Sequence, residues 1–199
     1  PDGSVRTVTV PLDEALDDWL DARAPERILD LCTGGGSLAI LAALRFPDAR
    51  VDASDLSRDA LALARQNRAL FGFDDRIELV EGDLYEALDG RRYDLILCNP
   101  PYVNSGSMDT LPAEFRAEPQ GALAGGADGM DLIRPILTGA IDHLAPEGLL
   151  LLECAHEAPS FERASPALEF AYLPVAAGDT LLVLVRRDQL VAAFPGPKR

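Results

Sequence analysis

The feature that most constrains the fold is an apolar run that stops abruptly at a polar, proline-rich motif. Residues 94–98 (Asp-Leu-Ile-Leu-Cys) lead directly into Asn99-Pro100-Pro101-Tyr102. A continuous apolar run of this kind is typical of a strand buried on both faces of a parallel sheet. Because proline has no N–H for the strand ladder, the strand must stop at Asn99. The sequence therefore predicts that Asn99 lies at the carboxyl edge of the sheet, where open α/β sheets bind ligands.

The motif at residues 99–102 suits an acceptor that carries a planar NH2 group. The Asn99 side-chain oxygen and the Pro100 carbonyl can accept hydrogen bonds from both N–H groups, which aims the nitrogen at an incoming reagent. Tyr102 would pack beside the acceptor or stack on it. The rate gain would come mainly from positioning and electrostatics. We therefore predict Asn99, Pro100 and Tyr102 as catalytic residues for transfer to a planar nitrogen.

A predicted strand, a glycine turn and a helix form the other constraint. Residues 27–32 are the first predicted core strand, residues 33–36 (Thr-Gly-Gly-Gly) are the glycine turn, and residues 37–44 predict a buried helix. Glycines in such a turn let the backbone approach a ligand at the helix N-terminus. The spacing also fits a dinucleotide-binding fingerprint, so the turn alone does not exclude NAD(P).

Acids near the ends of three consecutive predicted strands favour a cationic nucleoside. Asp30 lies in the first strand, Asp55 ends the second (residues 51–55), and Asp83 follows the third (residues 76–80). Asp55 is placed to accept ribose hydroxyls. A carboxylate at Asp30 would repel a pyrophosphate and attract the ammonium and sulfonium groups of S-adenosylmethionine. We therefore predict S-adenosylmethionine rather than NAD(P) as the cofactor, with a helix cap or a turn former as the alternative role of each acid. The predicted donor-site residues are Asp30, Thr33, Gly34, Gly36, Asp55, Leu56, Asp83, Leu84 and Asn99.

The remaining pattern predicts one α/β domain with a Rossmann-like, doubly wound, seven-stranded and mostly parallel sheet that ends in an antiparallel hairpin. Residues 1–25 are assigned to an N-terminal strand and helix segment, residues 26–190 to the domain, and residues 191–199 to a tail. Residues 103–129 are rich in Gly, Pro and Ser and show no clear period. They are too long for an ordinary connection, so we predict a functional lid there.

Composition narrows the function classes. The formal net charge of −15 argues against non-specific nucleic-acid binding, which depends on Lys and Arg, and suits a basic protein partner. Cys32, Cys98 and Cys154 each follow or end a predicted buried strand and lack zinc spacing, so we expect small buried side chains and no metal site. The sequence shows neither a signal-peptide pattern nor a membrane-length apolar run, and we expect a cytoplasmic protein.

At these residues the chain resembles class I S-adenosylmethionine-dependent protein-glutamine methyltransferases of the HemK/PrmC/PrmB group. Residues 30–36 (Asp-Leu-Cys-Thr-Gly-Gly-Gly) and 52–57 are similar to that group's donor-binding segments, and residues 99–103 match its Asn-Pro-Pro-Tyr motif. The resemblance implies methylation of a glutamine side-chain amide in a protein of the translation apparatus, either a ribosomal protein or a release factor. Residues 111–130 are most similar to the PrmB branch, whose members methylate large-subunit ribosomal protein L-three.

The resemblance leaves alternatives open. Asn-Pro-Pro-Tyr also occurs in adenine-N(6) methyltransferases, so an acceptor amine in nucleic acid or in a small molecule is the second hypothesis, and a non-catalytic donor-binding scaffold is the third. Gly35 and Ser37 replace the group's usual Ser and Cys, and Leu12 stands where Arg is usual. The group's N-terminal helical recognition domain is not in this sequence. We expect either a catalytic domain without that domain or a stand-alone enzyme with another acceptor.

Overall fold

The computed structural model describes residues 24–101, 128–154, 158–174 and 181–195. The strands are β1 Arg27–Leu31, β2 Arg50–Asp55, β3 Ile77–Glu81, β4 Tyr93–Cys98, β5 Leu144–Glu153, β6 Ala171–Pro174 and β7 Leu181–Arg186. The helices are α1 Ser37–Arg45, α2 Arg58–Leu70, α3 Ile133–His143, α4 Ala158–Ala164 and α5 Arg187–Ala193, with a short 3-10 helix at Glu86–Leu88. Among the described residues, no helix is long and apolar enough to cross a membrane.

The strands form one seven-stranded sheet in the order β3-β2-β1-β4-β5-β7-β6. The pairs from β3 to β5 are parallel, and β7 runs antiparallel to both β5 and β6. From β1 in the middle of the sheet, the strands are added first on one side and then on the other. This strand order creates a topological switch point between β1 and β4, where open α/β sheets form a ligand crevice.

Each face of the sheet carries its own apolar cluster. The α1-side cluster joins helix α1 to inward residues of β1, β2, β4 and β5, among them Ile28, Ala53 and Leu95. The α3-side cluster joins helices α3 and α5 to the alternate residues, among them Leu31 and Cys98. Full burial of a Leu or Ile side chain contributes about 1.5–3 kcal/mol, so these two clusters fix the strand register and the position of every strand end.

The predicted seven-stranded architecture is confirmed, while several boundaries differ. The apolar run predicts the fifth strand over residues 149–153, but β5 begins at Leu144, because that residue pairs with Tyr93. An irregularity follows before the regular pairing starts at Leu149. Helices α4 and α5 were not predicted, and residues 191–193, which we assigned to the tail, form the end of α5. Pro135 lies in the first turn of α3, where a missing N–H costs little.

Candidate functional site

The ends of three neighbouring strands bring the predicted site residues together. Leu31 of β1 is the Cα partner of Ser54 on one side and of Cys98 on the other. Asp55 and Asn99 are the next residues along their strands, so both lie one step beyond the same row. Side chains alternate along a strand, and Ala53 and Leu97 belong to or pack on the α1-side cluster. Asp55 and Asn99 therefore leave the sheet on the face that carries α1 and the glycine turn.

At two positions, the glycine turn has a backbone conformation that only glycine adopts easily. Gly34 has φ +55° and Gly36 has φ +83°, both in the left-handed region. A Cβ on Gly36 would lie 3.2 Å from the Cβ of Ala64, so this glycine lets α1 and α2 pack closely. A Cβ on Gly34 would meet no atom within 4 Å, so Gly34 faces open space that a ligand can enter.

Asp55 joins the glycine turn to the start of α2. One carboxylate oxygen accepts a hydrogen bond from the Gly34 N–H, and the other accepts one from the Ser57 N–H, both at 2.8 Å. Ser57 is the N-cap of α2 and accepts from the Ala60 N–H at 3.2 Å. Each Asp55 oxygen keeps a lone pair for a further donor such as a ribose hydroxyl. Leu56, beside it, is 68% exposed and can contact a ligand.

Asp30 lies behind the turn rather than at its surface. It is 0% exposed and accepts hydrogen bonds from the Thr33 hydroxyl and from the Ala39 N–H in the first turn of α1. Burial raises the pKa of this carboxyl to about 7, although both hydrogen bonds oppose the shift. Within the part of the chain that the structure describes, its second oxygen has no hydrogen-bond partner. In this conformation the carboxyl group holds Thr33 and α1 in place, and its assignment to the donor site stays a prediction.

Asp83 and Leu84 extend the edge beyond β3. The Gly82 N–H donates to the carbonyl of Asp55 at 3.2 Å, which ties this segment to the end of β2. Asp83 is exposed, and Leu84 is half-buried with φ +48°, a conformation that costs a side chain of this size about 1–3 kcal/mol. Strained residues of this kind cluster at ligand sites, and nothing in the sequence indicated this one.

Asn99 is exposed at the mouth of the crevice, and Pro100 after it is buried. Among the described residues, the Asn99 side chain has no hydrogen-bond partner, so its amide is available to a ligand. Glu153 of β5 lies in the same row, because Cys98 pairs with Leu152. We assigned Glu153 no role from the sequence. Tyr102 and residues 103–127 of the predicted lid lie outside the described residues.

The far end of the predicted lid is anchored. Asp128 accepts hydrogen bonds from the Met130 N–H and from the Arg134 guanidinium at the start of α3, and these contacts lower its pKa. Within the described ranges, no group of three or more His, Cys, Asp or Glu side chains could hold a metal ion.

Comparison with known proteins gives a consistent set of relatives. The family model described as "Methyltransferase small domain" matches residues 13–169. Two curated relatives, both described as ribosomal protein uL3 glutamine methyltransferase, are 53% identical over 180 residues (Bordetella pertussis) and 50% identical over 191 residues (Burkholderia pseudomallei). The chain is covered to 90% in both, but it spans only 60% and 62% of their length. A crystal structure of a methyltransferase from Pyrococcus furiosus shares the fold with a TM-score of 0.63 at 16% identity, covering 92% of this chain and 89% of that one.

Proposed function

We propose, from the premise that this chain belongs to the methyltransferase small domain family, that it transfers a methyl group from S-adenosylmethionine to the side-chain amide nitrogen of a glutamine in ribosomal protein uL3. The main support for the proposal is the arrangement of the strand ends at the carboxyl edge of the sheet. There, Asp55 and Asn99 flank the glycine turn on one face. The same residues stand in a chain that is 53% identical to a uL3 glutamine methyltransferase. A cytoplasmic location follows from such an acceptor.

The residues around the turn fit a cationic donor. Gly34 leaves an open approach for the donor, Asp55 offers carboxylate lone pairs for ribose hydroxyls, and Asp30 adds a buried carboxyl group behind the turn. No Lys or Arg occurs between residues 28 and 44, so the segment that contains the turn carries no positive charge suited to a pyrophosphate. When bound, S-adenosylmethionine would supply an electrophilic methyl group on a sulfonium.

Asn99 and Pro100 would prepare the acceptor. An amide nitrogen is a poor nucleophile because its lone pair is delocalised into the carbonyl. Hydrogen bonds from its NH2 to the Asn99 oxygen and the Pro100 carbonyl hold the nitrogen in line and favour its pyramidal form. Positioning and preorganised dipoles then supply the rate gain. No strong base is needed first, since the methylated nitrogen becomes acidic and loses its proton to solvent.

A methyl-transfer assay on purified uL3 tests the function. The chain is incubated with methyl-labelled S-adenosylmethionine and uL3, and the modified residue is mapped by tandem mass spectrometry. We expect one methyl group on one glutamine, and replacement of that glutamine by Ala in uL3 should abolish labelling. Labelling of a release factor instead would move the acceptor to that protein. Labelling of nucleic acid alone, or of nothing, would contradict the proposal.

The donor site has its own test. Asp55→Ala removes charge-assisted hydrogen bonds worth about 1.5–3 kcal/mol, so donor affinity should fall about tenfold or more. Asp48→Ala is a matched control, because Asp48 is an exposed carboxylate between α1 and β2, at the opposite edge of the sheet. Calorimetry that shows equal donor affinity in both variants would remove Asp55 from the site, and tight binding of NAD would contradict the donor assignment.

A further inference from the structure

Two cysteines lie side by side where β1 and β4 end. Cys98 is the last residue of β4 and is the Cα partner of Leu31, the residue before Cys32. Neighbouring strands are about 4.8 Å apart and residues advance about 3.3 Å along a strand, which separates the two cysteine Cα atoms by about 6 Å. Disulfide bonds join Cα atoms that are about 4.4–6.8 Å apart. The backbone spacing therefore permits a disulfide between Cys32 and Cys98.

The conformation of Cys32 brings its thiol to the correct face of the sheet. In a regular strand Cys32 would follow Ile28 and Asp30 onto the α1 side, away from Cys98. Instead it has φ +62°, a rare conformation for a residue with a side chain, and its side chain packs on the α3-side cluster that contains Cys98. The backbone distortion thus places both thiols on one face.

The two thiols interact with each other, and they differ in their exposure to solvent. The pKa of Cys98 is raised well above its usual value, by burial first and then by the hydrogen bond and charge of Cys32. The pKa of nearby Tyr85 is raised by burial and then by both cysteines. Cys98 is 2% exposed, whereas Cys32 is half-buried. A small oxidant in solution therefore reaches Cys32 before Cys98.

We propose that Cys32 and Cys98 form an oxidative modification site, at which a peroxide converts the dithiol to an intramolecular disulfide. The Cys32 thiolate attacks the peroxide O–O bond and becomes a sulfenic acid, with release of hydroxide from hydrogen peroxide. The Cys98 thiol then attacks the Cys32 sulfur, the S–S bond forms, and water leaves with the Cys98 proton. Two thiols are oxidised, one peroxide is reduced, and a thiol reductant reverses the change.

The disulfide would act on the site described above, and this consequence rests on the proposed function. Bonded sulfur atoms lie about 2.05 Å apart, closer than two thiols can pack, so the side chains of Cys32 and Cys98 must rotate toward each other, and this rotation disturbs the left-handed backbone of Cys32. Thr33 and Gly34 follow Cys32 directly, and Asn99 follows Cys98. Oxidation should therefore displace the glycine turn and weaken donor binding.

Peptide mapping of the full chain tests the site independently of activity. Trypsin places the three cysteines in three different peptides, residues 28–45, 93–116 and 117–163. After brief treatment with hydrogen peroxide and alkylation of free thiols, we expect one crosslinked pair, 28–45 with 93–116, which dithiothreitol releases. Cys32→Ser should abolish this pair. Two results would overturn the proposal. One is that no crosslink forms while Cys32 is over-oxidised stepwise, and the other is a crosslink to the peptide that contains Cys154.

Cys154→Ala is the matched control. Cys154 is fully buried two residues beyond Leu152, the partner of Cys98, so its Cα lies about 8 Å from that of Cys98, too far for a disulfide. This variant should form the Cys32–Cys98 crosslink at the wild-type rate. Cys98→Ala should leave Cys32 as a sulfenic acid that a dimedone probe traps. Rapid crosslinking in Cys98→Ala would contradict the assigned partner.

Calorimetry with S-adenosylmethionine tests the consequence. Oxidised wild type and oxidised Cys154→Ala should bind the donor at least tenfold more weakly than their reduced forms, and dithiothreitol should restore binding. Peroxide-treated Cys32→Ser should keep its donor affinity. A mapped crosslink with unchanged donor affinity would overturn the coupling to the glycine turn. Absence of donor binding in the reduced protein would contradict the proposed function and leave the peptide mapping as the measure of the modification site.

Discussion

Asn99 is the residue on which the proposed reaction depends most. Asn99→Ala removes the oxygen that accepts from the acceptor NH2 and leaves Asp55 and the glycine turn unchanged. Loss of one well-placed polar contact in a catalytic site costs about 10²–10³ in rate. We therefore expect single-turnover methyl transfer to fall by about that factor while donor affinity stays within about threefold.

Asn99→Asp is the sharper comparison, because it keeps the shape and the acceptor oxygens of Asn99. It removes the side-chain NH2 and brings a negative charge close to the sulfonium. We expect equal or tighter donor binding with strongly reduced transfer. Single-turnover rates near wild type in both variants would mean that Asn99 only ends a strand.

Asp30 makes the stability of the fold dependent on pH. Its pKa is about 7 in the folded state, above the ordinary value of 3.8. Because the folded state holds this proton more tightly, the stabilisation is fully present below pH 3.8 and is lost as the pH rises through about 7. Asp30→Asn keeps an oxygen for the Thr33 and Ala39 donors and cannot titrate in this range.

Between about pH 4 and about pH 8, wild type should lose on the order of 4 kcal/mol more unfolding free energy than Asp30→Asn. Urea unfolding of both proteins across that range measures the difference. Parallel stability curves for the two proteins would show that the buried carboxyl group does not titrate as described.

At the scale of elements, Arg76 connects α1 to the strand that follows α2. Its guanidinium donates to the carbonyls of Ala43, Phe46 and Pro47 at the C-terminal end of α1, and it lies 4.7 Å from the centroid of the Phe73 ring. It thus satisfies backbone acceptors that a helix end leaves unpaired and places a positive charge at the negative end of the helix dipole.

Hydrogen bonds to charged groups contribute about 1.5–3 kcal/mol, so Arg76→Ala should lower the free energy of unfolding by roughly that amount. Arg65→Ala, at an exposed position of α2, is the control and should change stability by less than about 0.5 kcal/mol. Urea unfolding measures both variants. Equal stability of the two would show that solvent replaces the Arg76 contacts without cost.

The elements differ in how far the sequence predicts them. Strands β1 to β4 were predicted to within one residue because each is a run of buried residues bounded by polar or turn residues. Helices α4 and α5 are two turns or shorter and bury few side chains, Ala158 and Phe161 in one and Leu190 in the other, which is too little to establish a period. The run of residues 168–173 predicts a strand, but β6 starts only at Ala171, since Leu168 closes a turn with Ser165.

Within the site, too, the sequence predicts some features and does not predict others. The placement of Asp55 and Asn99 at one edge of the sheet was predictable, since each follows or ends a strand of the same parallel sheet. The burial of Asp30 depends on Thr33 and on the start of α1 in space, which no local pattern contains. The left-handed conformations of Cys32 and Leu84 are rare for such residues, so the sequence favours extended or turn backbone there.

At the scale of the whole molecule, charge bears on the choice of acceptor. The chain carries 33 acidic and 18 basic residues. Nucleic-acid binding depends on contacts from Lys and Arg to phosphates, whereas the negative electrostatic field of an acidic chain attracts a basic protein. The charge therefore supports a protein acceptor over an acceptor base in nucleic acid, in agreement with the relatives that are described as uL3 glutamine methyltransferases.

The last prediction separates donor binding from acceptor recognition. The described part of this chain contains the predicted donor-site residues Gly34, Asp55 and Asp83, while the Bordetella pertussis relative has 40% of its length outside the match. We expect this chain and that relative to bind S-adenosylmethionine within about threefold of each other by calorimetry, because the donor contacts lie in the shared part. We expect the additional length to supply further acceptor contacts, so the relative should methylate uL3 with at least tenfold higher kcat/KM. Each tenfold factor corresponds to about 1.4 kcal/mol, which a few ordered side-chain contacts provide.

A free glutamine peptide, which is too short to reach those contacts, should be methylated equally by both proteins. Equal kcat/KM on intact uL3 would show that this chain recognises the acceptor without the relative's additional length.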